Sequence, residues 1–207
     1  CQPVCGPARA CLQTGRYATE VGCEINGRAL PFGSVKTLAQ SFNEAGYATA
    51  YVGKWHLATD HAAGINYETS AIPQERRGGY RDYWMAADVL EFTSHGYNGY
   101  VYNADNERVP FMGYRADCIN NFAIDFLHGR KEQTEPFFLF ISQIEPHHQN
   151  DRRRYEGPDG SRAQFADFQP PGDLAACSRA CAQGTDVSNW RENYPDYLGC
   201  CHSLDYN

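Results

Sequence analysis

Apolar side chains recur at helical spacing along residues 34–45, which predicts an amphipathic helix. Ser34 is placed to cap its start, and Gly46 follows its last turn as a stop signal. Residues 47–52 form a short apolar stretch between two glycines and predict a strand. Polar residues return directly after this strand, at positions 54 and 56.

A second helix is predicted over 115–129, where apolar residues again keep helical spacing. It leads to residues 137–141, FFLFI, a continuous apolar run typical of a strand buried on both faces of a parallel sheet. A last helix is predicted from about residue 196. The two helix–strand units indicate the α/β class, with a mixed, mainly parallel sheet flanked by helices.

Residues 58–114 are rich in Gly, Tyr, Asn and Asp and have no long period. We predict that they are loops with short strands, that residues 149–190 are mostly loop, and that both are insertions that shape a substrate site. In open α/β sheets, ligands bind beyond the carboxyl ends of the strands. The segments 54–56 and 147–148 both fall at that edge.

The composition narrows the function classes. The chain of 207 residues is 42% hydrophobic and 14% aromatic, which excludes a disordered or collagen-like protein. A net charge of −7 without a basic stripe argues against nucleic-acid binding. No apolar run approaches ~18 residues, so no membrane span is predicted. No targeting signal is visible at residue 1.

The cysteines number nine, and no two of them have CxxC spacing, so zinc is only weakly indicated. Two interpretations stay open. Some of the cysteines form structural disulfides of a secreted enzyme, or most are buried thiols that behave as small hydrophobic residues. The odd count leaves at least one cysteine unpaired and free for a chemical role.

The most informative segment is residues 5–16, CGPARACLQTGR. A plain interpretation is a Pro-Gly turn before a helix that starts near Ala8, with Arg9 exposed. A helix start also directs backbone N–H groups and the positive end of the helix dipole toward Cys5, which suits the binding of an oxyanion. Arg9 adds a fixed cation one turn later.

This segment resembles the signature of the type I, formylglycine-dependent sulfatases, C-x-P-S/A-R followed by T-G-R/K. Residues 46–57, GYATAYVGKWHL, resemble the second signature of that family, with Ala58 in place of its last glycine. Residues 136–147 are similar to a strand that ends in Pro-His, and residues 197–205 to a later helix that ends in Leu-Asp. The resemblance implies the alkaline-phosphatase-like fold, with residues 1–207 as part of one sulfatase catalytic domain.

The resemblance also implies the chemistry. Cys5 would be oxidised to formylglycine, whose hydrate supplies the nucleophile that cleaves a sulfate ester, on a carbohydrate in the favoured interpretation. Arg9 would stabilise this hydrate. Lys54 would bridge the hydrate and a sulfate oxygen, and His56 would accept its proton.

His147 would contact the ester oxygen and protonate the leaving alcohol. His148 is the other candidate for this substrate contact, because two adjacent histidines leave the register open by one residue. Two alternatives to a sulfatase are kept: a phosphonate or phosphate monoester hydrolase of the same superfamily, and an inactive binding or structural chain.

A calcium ion is the cofactor that the resemblance implies, with Cys5, as formylglycine, among its ligands. The Asp and Asn/His ligands of the family, and a further sulfate-binding Lys, match no residue of this chain. We therefore expect residues 1–207 to be the middle of a longer polypeptide and to be inactive alone. The expected partners are a sulfated molecule or glycan and a formylglycine-generating or anaerobic maturation enzyme, in a periplasmic, secreted or lysosomal location.

Overall fold

The structure is a computed structural model and describes residues 2–169 and 190–207. Its helices are α1 (Cys5–Thr14), α2 (Leu38–Glu44), α3 (Leu90–Thr93), α4 (Arg115–Gly129), α5 (Ser161–Gln164) and α6 (Trp190–Tyr206). Its strands are β1 (Ala48–Lys54), β2 (Tyr83–Ala87), β3 (Tyr97–Tyr102), β4 (Arg108–Tyr114) and β5 (Phe137–Ser142). Residues 170–189 of the predicted loop, with Cys177 and Cys181, lie outside the described residues, as does Cys1.

The five strands form one mixed sheet in the order β4-β3-β2-β1-β5. β1 is the middle strand of the parallel part of the sheet, with β2 on one side and β5 on the other. β3 and β4 extend the sheet as an antiparallel pair. Every residue of β1 is buried, because helices and loops cover both faces of the sheet. The predicted α/β class with a mixed sheet is confirmed.

Helix α2 begins later than the sequence pattern predicts. It starts at Leu38 and is capped by Thr37, whose side chain accepts a hydrogen bond from the Gln40 N–H. The side-chain oxygen of Gln40 in turn accepts a hydrogen bond from the Thr37 N–H. This capping box satisfies two backbone donors at once, so it outcompetes Ser34 as the helix start. The prediction of Ser34 as the cap was wrong; its hydroxyl instead donates to the carbonyl oxygen of Pro31.

The segment 58–114 contains three of the five strands that the structure describes. β2 pairs in parallel with β1 from Ala50 to Lys54, so this part of the segment belongs to the centre of the sheet. The last helix also differs from the prediction, since α6 begins at Trp190 and includes Pro195. That the two segments shape a substrate site stays a prediction.

The core lies on both faces of the sheet. One cluster is aromatic and packs β1 and β2 against the N-terminal segment; its largest buried members are Tyr51, Trp55, Tyr80 and Trp84. The other packs β1 and β3 against α4 and includes Val52, Val101, Ile119 and Ala123. In the part of the chain that is described, no helix has the length and apolar character that crossing a bilayer requires.

Candidate active site

The parallel strands end together at one edge of the sheet. β1 ends at Lys54, which pairs with Ala87 at the end of β2, and Gly53 pairs with Ser142 at the end of β5. Gly53 has a φ of 104°, and a Cβ on it would lie 2.0 Å from the carbonyl oxygen of Ser142. Only glycine allows this close approach, which brings the ends of β1 and β5 together.

Helix α1 begins at this edge with Cys5. Val4 is its N-cap residue and offers no side-chain hydrogen bond. The N–H of Gly6, one of the free donors of the first turn, instead donates to the Asn26 side-chain oxygen at 2.8 Å. Cys5 is half-buried, so its side chain remains within reach of a ligand that enters from solvent.

Arg9 is fixed against the strand ends. Its Nη1 donates to the carbonyl oxygen of Lys54 at 2.7 Å and to the hydroxyl of Ser142 at 2.5 Å. The Tyr51 hydroxyl donates to the same Lys54 carbonyl at 2.5 Å. These contacts fix the guanidinium at the strand ends, and it has no acidic partner among the residues that the structure describes, so its positive charge is available to an anion.

His147 faces Cys5 across the edge, with its Nε2 3.9 Å from the Cys5 Sγ. Its Nδ1–H donates to the carbonyl oxygen of His148 at 2.6 Å, which fixes the ring with Nε2 toward Cys5. Hydrogen bonds from His147 and His56 lower the pKa of the Cys5 thiol to about 5, against the effect of burial. The charge of Lys54 contributes in the same direction. The hydrogen bond to Cys5 in turn raises the pKa of His147.

His148 lies elsewhere. Its ring packs edge-on against Tyr155 with the centroids 5.4 Å apart, and its buried Nδ1 has no hydrogen-bond partner in the structure. Of the two adjacent histidines, His147 is therefore the one beside Cys5. All five residues predicted as catalytic meet at the same edge of the sheet.

Two acidic residues of the site were missed by the sequence analysis. The Lys54 Nζ is paired with Glu91 Oε1 at 2.6 Å, and both side chains are almost fully buried. Asp88, with no exposed surface, accepts hydrogen bonds from the backbone that follows His56. Both acids lie within the segment 58–114, which carries no motif, so only the pairing of β2 with β1 reveals them.

A pocket of about 380 Å³ opens at this edge. It is lined by Cys5, Ala8, Arg9, Leu12, Gln13, Lys54, Phe140, Ile141, Ser142, Gln143, Ile144 and His147. Its polar end carries cationic and hydrogen-bond-donating side chains, which suits a small oxyanion. A larger cavity of about 720 Å³ lies between residues 21–33 and 60–76 and contains none of the predicted catalytic residues.

A calcium ion does not fit the described residues by themselves. Calcium takes roughly six to eight oxygen ligands, whereas Cys5 is surrounded by Arg9, Lys54 and the imidazoles of His56 and His147. The carboxylate in contact with this group, Glu91, is already paired with Lys54. Nowhere in residues 2–169 and 190–207 do three or more His, Cys, Asp or Glu side chains gather as metal ligands.

The cysteines that the structure describes are free thiols. Three of these six are buried, Cys23, Cys118 and Cys200, and pack as small apolar side chains, which favours the buried-thiol interpretation for this part of the chain. Burial raises the pKa of Cys23 and of Cys200 to about 11. Cys5 thus differs from both in the sign of its pKa shift, because hydrogen bonds from His147 and His56 and the charge of Lys54 stabilise its thiolate.

Comparisons with known proteins agree with this geometry. The sulfatase family model matches residues 1–207. An uncharacterised sulfatase, YidJ, of Escherichia coli K12 is 36% identical over 157 residues, 72% of this chain and 30% of the relative. The ulvan-active sulfatase of Formosa agariphila is 35% identical over 175 residues, 83% of this chain and 30% of the relative. The N-acetylglucosamine-6-O-sulfatase of Bacteroides thetaiotaomicron is 31% identical over 142 residues, which is 69% of this chain and 22% of the relative.

Solved structures share the fold. The sulfatase-family protein YidJ of Bacteroides fragilis matches with a TM-score of 0.71 and 24% identity, over 99% of this chain and 46% of that structure. Ps i-CgsB in complex with k-i-k-neocarrahexaose matches with a TM-score of 0.67 and 19% identity, over 99% and 43%. The chain spans 22–30% of the length of the curated relatives named above and less than half of these structures. The chain belongs to the sulfatase family and has its alkaline-phosphatase-like fold.

Proposed function

We propose that this chain carries the nucleophile and the acid–base residues of an enzyme that hydrolyses a sulfate ester of a carbohydrate. One observation carries the proposal: Cys5 Sγ lies 3.9 Å from His147 Nε2 at an edge where Arg9 and Lys54 provide positive charge. A sulfate ester is an anion, so its binding and cleavage require this charge. Membership of the sulfatase family supports the same conclusion.

Conversion of Cys5 to formylglycine, followed by addition of water to its aldehyde, would supply a hydroxyl nucleophile in the place of the thiol. Arg9 is held rigidly by Lys54 and Ser142, so it orients an oxygen on residue 5 without needing to move. His56 contributes a hydrogen bond to the side chain at this position, which puts it within reach of a proton there.

His147 is placed to act as the general acid. Its Nδ1–H is committed to the carbonyl oxygen of His148, so the proton that it can transfer is on Nε2, the atom nearest Cys5. A leaving alcohol between Cys5 and His147 would receive that proton as its bond to sulfur breaks. In the thiol form, the hydrogen bond to Cys5 raises the pKa of His147.

A carbohydrate substrate and export are supported by the relatives. Two of them are named as an ulvan-active sulfatase and an N-acetylglucosamine-6-O-sulfatase. A further relative, 30% identical over 178 residues, is described as a putative extracellular sulfatase homologue of Caenorhabditis elegans. A maturation enzyme that reads Cys5, Pro7 and Arg9 is the partner that this proposal requires.

The test uses the full-length protein with two substrates, a sulfated sugar and nitrophenyl sulfate. His147→Ala should slow hydrolysis of the sugar sulfate by about 100-fold to 10,000-fold, and that of nitrophenyl sulfate far less, because nitrophenolate leaves without a proton. His148→Ala is the matched control and should affect both substrates equally.

Equal losses on both substrates in His147→Ala would contradict the general-acid role. Turnover of nitrophenyl phosphate that is faster than that of nitrophenyl sulfate would replace the sulfatase proposal with a phosphate monoester hydrolase, which the same anion site would accommodate.

A further inference from the structure

A short acidic segment lies directly behind the candidate active site. Asp88 and Glu91 follow the last residue of β2, Ala87, which pairs with Lys54 of β1. Both acids are buried, with 0% and 6% of their surface exposed. Burial of two carboxylates is costly unless each one is hydrogen-bonded or paired, so the partners of both indicate what they do.

Glu91 holds Lys54. The two side chains are 4% and 1% exposed, and Nζ lies 2.6 Å from Oε1. Burial acts to raise the pKa of Glu91, but the charge and hydrogen bond of Lys54 outweigh it and lower that pKa, so the pair is ionic. The long lysine side chain has many rotamers, and this contact selects the one that projects from the end of β1.

Asp88 holds the turn that carries His56. Its two oxygens accept hydrogen bonds from the N–H groups of Leu57, Ala58 and Thr59 at 2.9–3.0 Å. His56 itself has a φ of 58°, a conformation that few residues other than glycine adopt. The carboxylate therefore stabilises a backbone path that would otherwise be unfavourable, and that path directs the His56 ring toward Cys5.

The same segment contacts the loop of His147. Gln149, which is 2% exposed, donates from its amide nitrogen to the Glu91 carbonyl oxygen at 2.9 Å. The loop that contains His147 is thus tied to α3 as well. Of the four groups that surround Cys5, Lys54 contacts residues 88–91 directly, and His56 and His147 are linked to them through residues 57–59 and through Gln149.

We propose that residues 88–91 are a positioning segment, in which Glu91 fixes the Lys54 ammonium and Asp88 fixes the His56 turn for reaction at residue 5. The inference rests on the proposed sulfate ester hydrolysis. Neither acid touches the reacting atoms, so both act through Lys54 and His56.

The charge of Glu91 provides a signature that a merely structural role lacks. Glu91→Gln removes a negative charge from the neighbourhood of a bound anion, so affinity for the anion should not fall. Lys54 loses its fixed position, so the reaction step should slow. A residue that only stabilised the fold would lower anion affinity, turnover and thermal stability together.

The first experiment measures the position of Lys54 without any turnover. The folded full-length protein and its Glu91→Gln variant are labelled with trace acetic anhydride, and the labelling of Lys54 is compared with that of exposed Lys36 by peptide mass spectrometry. Release of Lys54 should raise its relative labelling by about five-fold or more, and a smaller rise would overturn the proposal. If Glu91→Gln fails to fold, Glu91→Asp, which withdraws the carboxylate by one methylene, is judged by the same criterion.

The second experiment measures kcat on nitrophenyl sulfate and inhibition by inorganic sulfate. Glu91→Gln should lower kcat about ten-fold or more while the inhibition constant of sulfate does not rise. Asp82→Asn is the matched control, since Asp82 also accepts a backbone N–H, that of Thr49 at 2.7 Å, but near the start of β1. Its kcat should stay within about two-fold of the unchanged protein.

Asp88→Asn tests the other half of the proposal. It should lower kcat by about ten-fold or more and increase hydrogen exchange at the amides of residues 57–59, because one of the two acceptor oxygens becomes a donor. Unchanged kcat in Asp88→Asn or in Glu91→Gln would overturn the proposal. If the unchanged protein cleaves no sulfate ester but Lys54 is released in Glu91→Gln, the proposed function fails, while the holding of Lys54 by Glu91 stands.

Discussion

Two buried regions meet at the end of β1 and differ in how they are stabilised. On one face of the sheet, Tyr51 stacks on Phe140 and Trp84, with ring centroids 5.4 and 5.3 Å apart. At the carboxyl edge, Arg115 and Glu145 form an ion pair at 2.8 Å in which both side chains are almost fully buried. The aromatic region depends on burial of apolar area, and the polar region depends on the pairing of buried charges.

The polar region is a connected network. The Arg115 guanidinium also donates to Ser94 and to Gln149, and Gln149 reaches the backbone of α3. Glu145 lies two residues before His147, so the network fixes the backbone that positions this histidine. Loss of an apolar contact costs energy in proportion to the area lost, whereas loss of one charge leaves its partner buried and unpaired. We therefore expect substitutions in the aromatic region to lower the free energy of unfolding in proportion to the apolar area lost, and single charge removals in the polar region to lower it by a larger amount at once.

The largest expected shift is in the titration of Cys5. In full-length protein made without the maturation enzyme, alkylation of Cys5 by iodoacetamide should increase with pH around about 5. In a peptide with the same sequence, it should increase near the ordinary thiol value of 9.0. Below about 5 the thiolate is protonated and the reaction slows.

His147→Ala should move this inflection to higher pH, because the hydrogen bond from His147 is the largest cause of the shift. An inflection near that of the peptide in the unchanged protein would contradict the electrostatics of the site.

Arg115→Ala should lower the free energy of unfolding by about 3–5 kcal/mol, because Glu145 is left buried without its partner. Urea denaturation measures the change. The double variant Arg115→Met, Glu145→Leu removes both charges and should recover much of that stability. A loss below about 1 kcal/mol in the single variant would show that water reaches Glu145 and that the two regions do not differ in this way.

Phe140→Leu should cost less, about 1.5 kcal/mol or below, because Phe140 is only partly buried and the substitution keeps an apolar side chain in the aromatic cluster. The same urea measurement applies. A loss as large as that in Arg115→Ala would remove the contrast between the aromatic and polar regions.

The sequence predicted the parts of this molecule that local patterns encode. The apolar run 137–141 and the spacing in 115–129 correspond to β5 and α4, and the motifs name the residues that meet at Cys5. The expectation that this run is buried on both faces was wrong, because β5 is the last strand of the described sheet and its Phe137 and Ile141 side chains are 42% and 44% exposed. The start of helix α2 was harder to predict, because Ser34 and Thr37 are both of a type that caps helices. Only the capping box that Thr37 forms with Gln40 distinguishes them.

The roles of Glu91 and Asp88 could not be predicted from local patterns, for a physical reason. Glu91 pairs with Lys54, 37 residues away, and Asp88 accepts from residues 57–59, 29–31 residues away. These groups meet only because β2 lies beside β1. No local period signals β2, since its neighbourhood is rich in Gly and aromatic residues and lacks strict alternation. Contacts that depend on strand order cannot be derived from the composition of either segment.

The central claim is that Cys5 is converted to formylglycine and carries the hydrolysis of a sulfate ester. Peptide mass spectrometry of the full-length protein from its native host tests it most directly, together with an aldehyde-reactive probe. We expect that the peptide with Cys5 has lost its sulfur and binds the probe, while Cys11 remains an alkylatable thiol. An intact, alkylatable thiol at Cys5 in protein that hydrolyses sulfate esters would contradict the account.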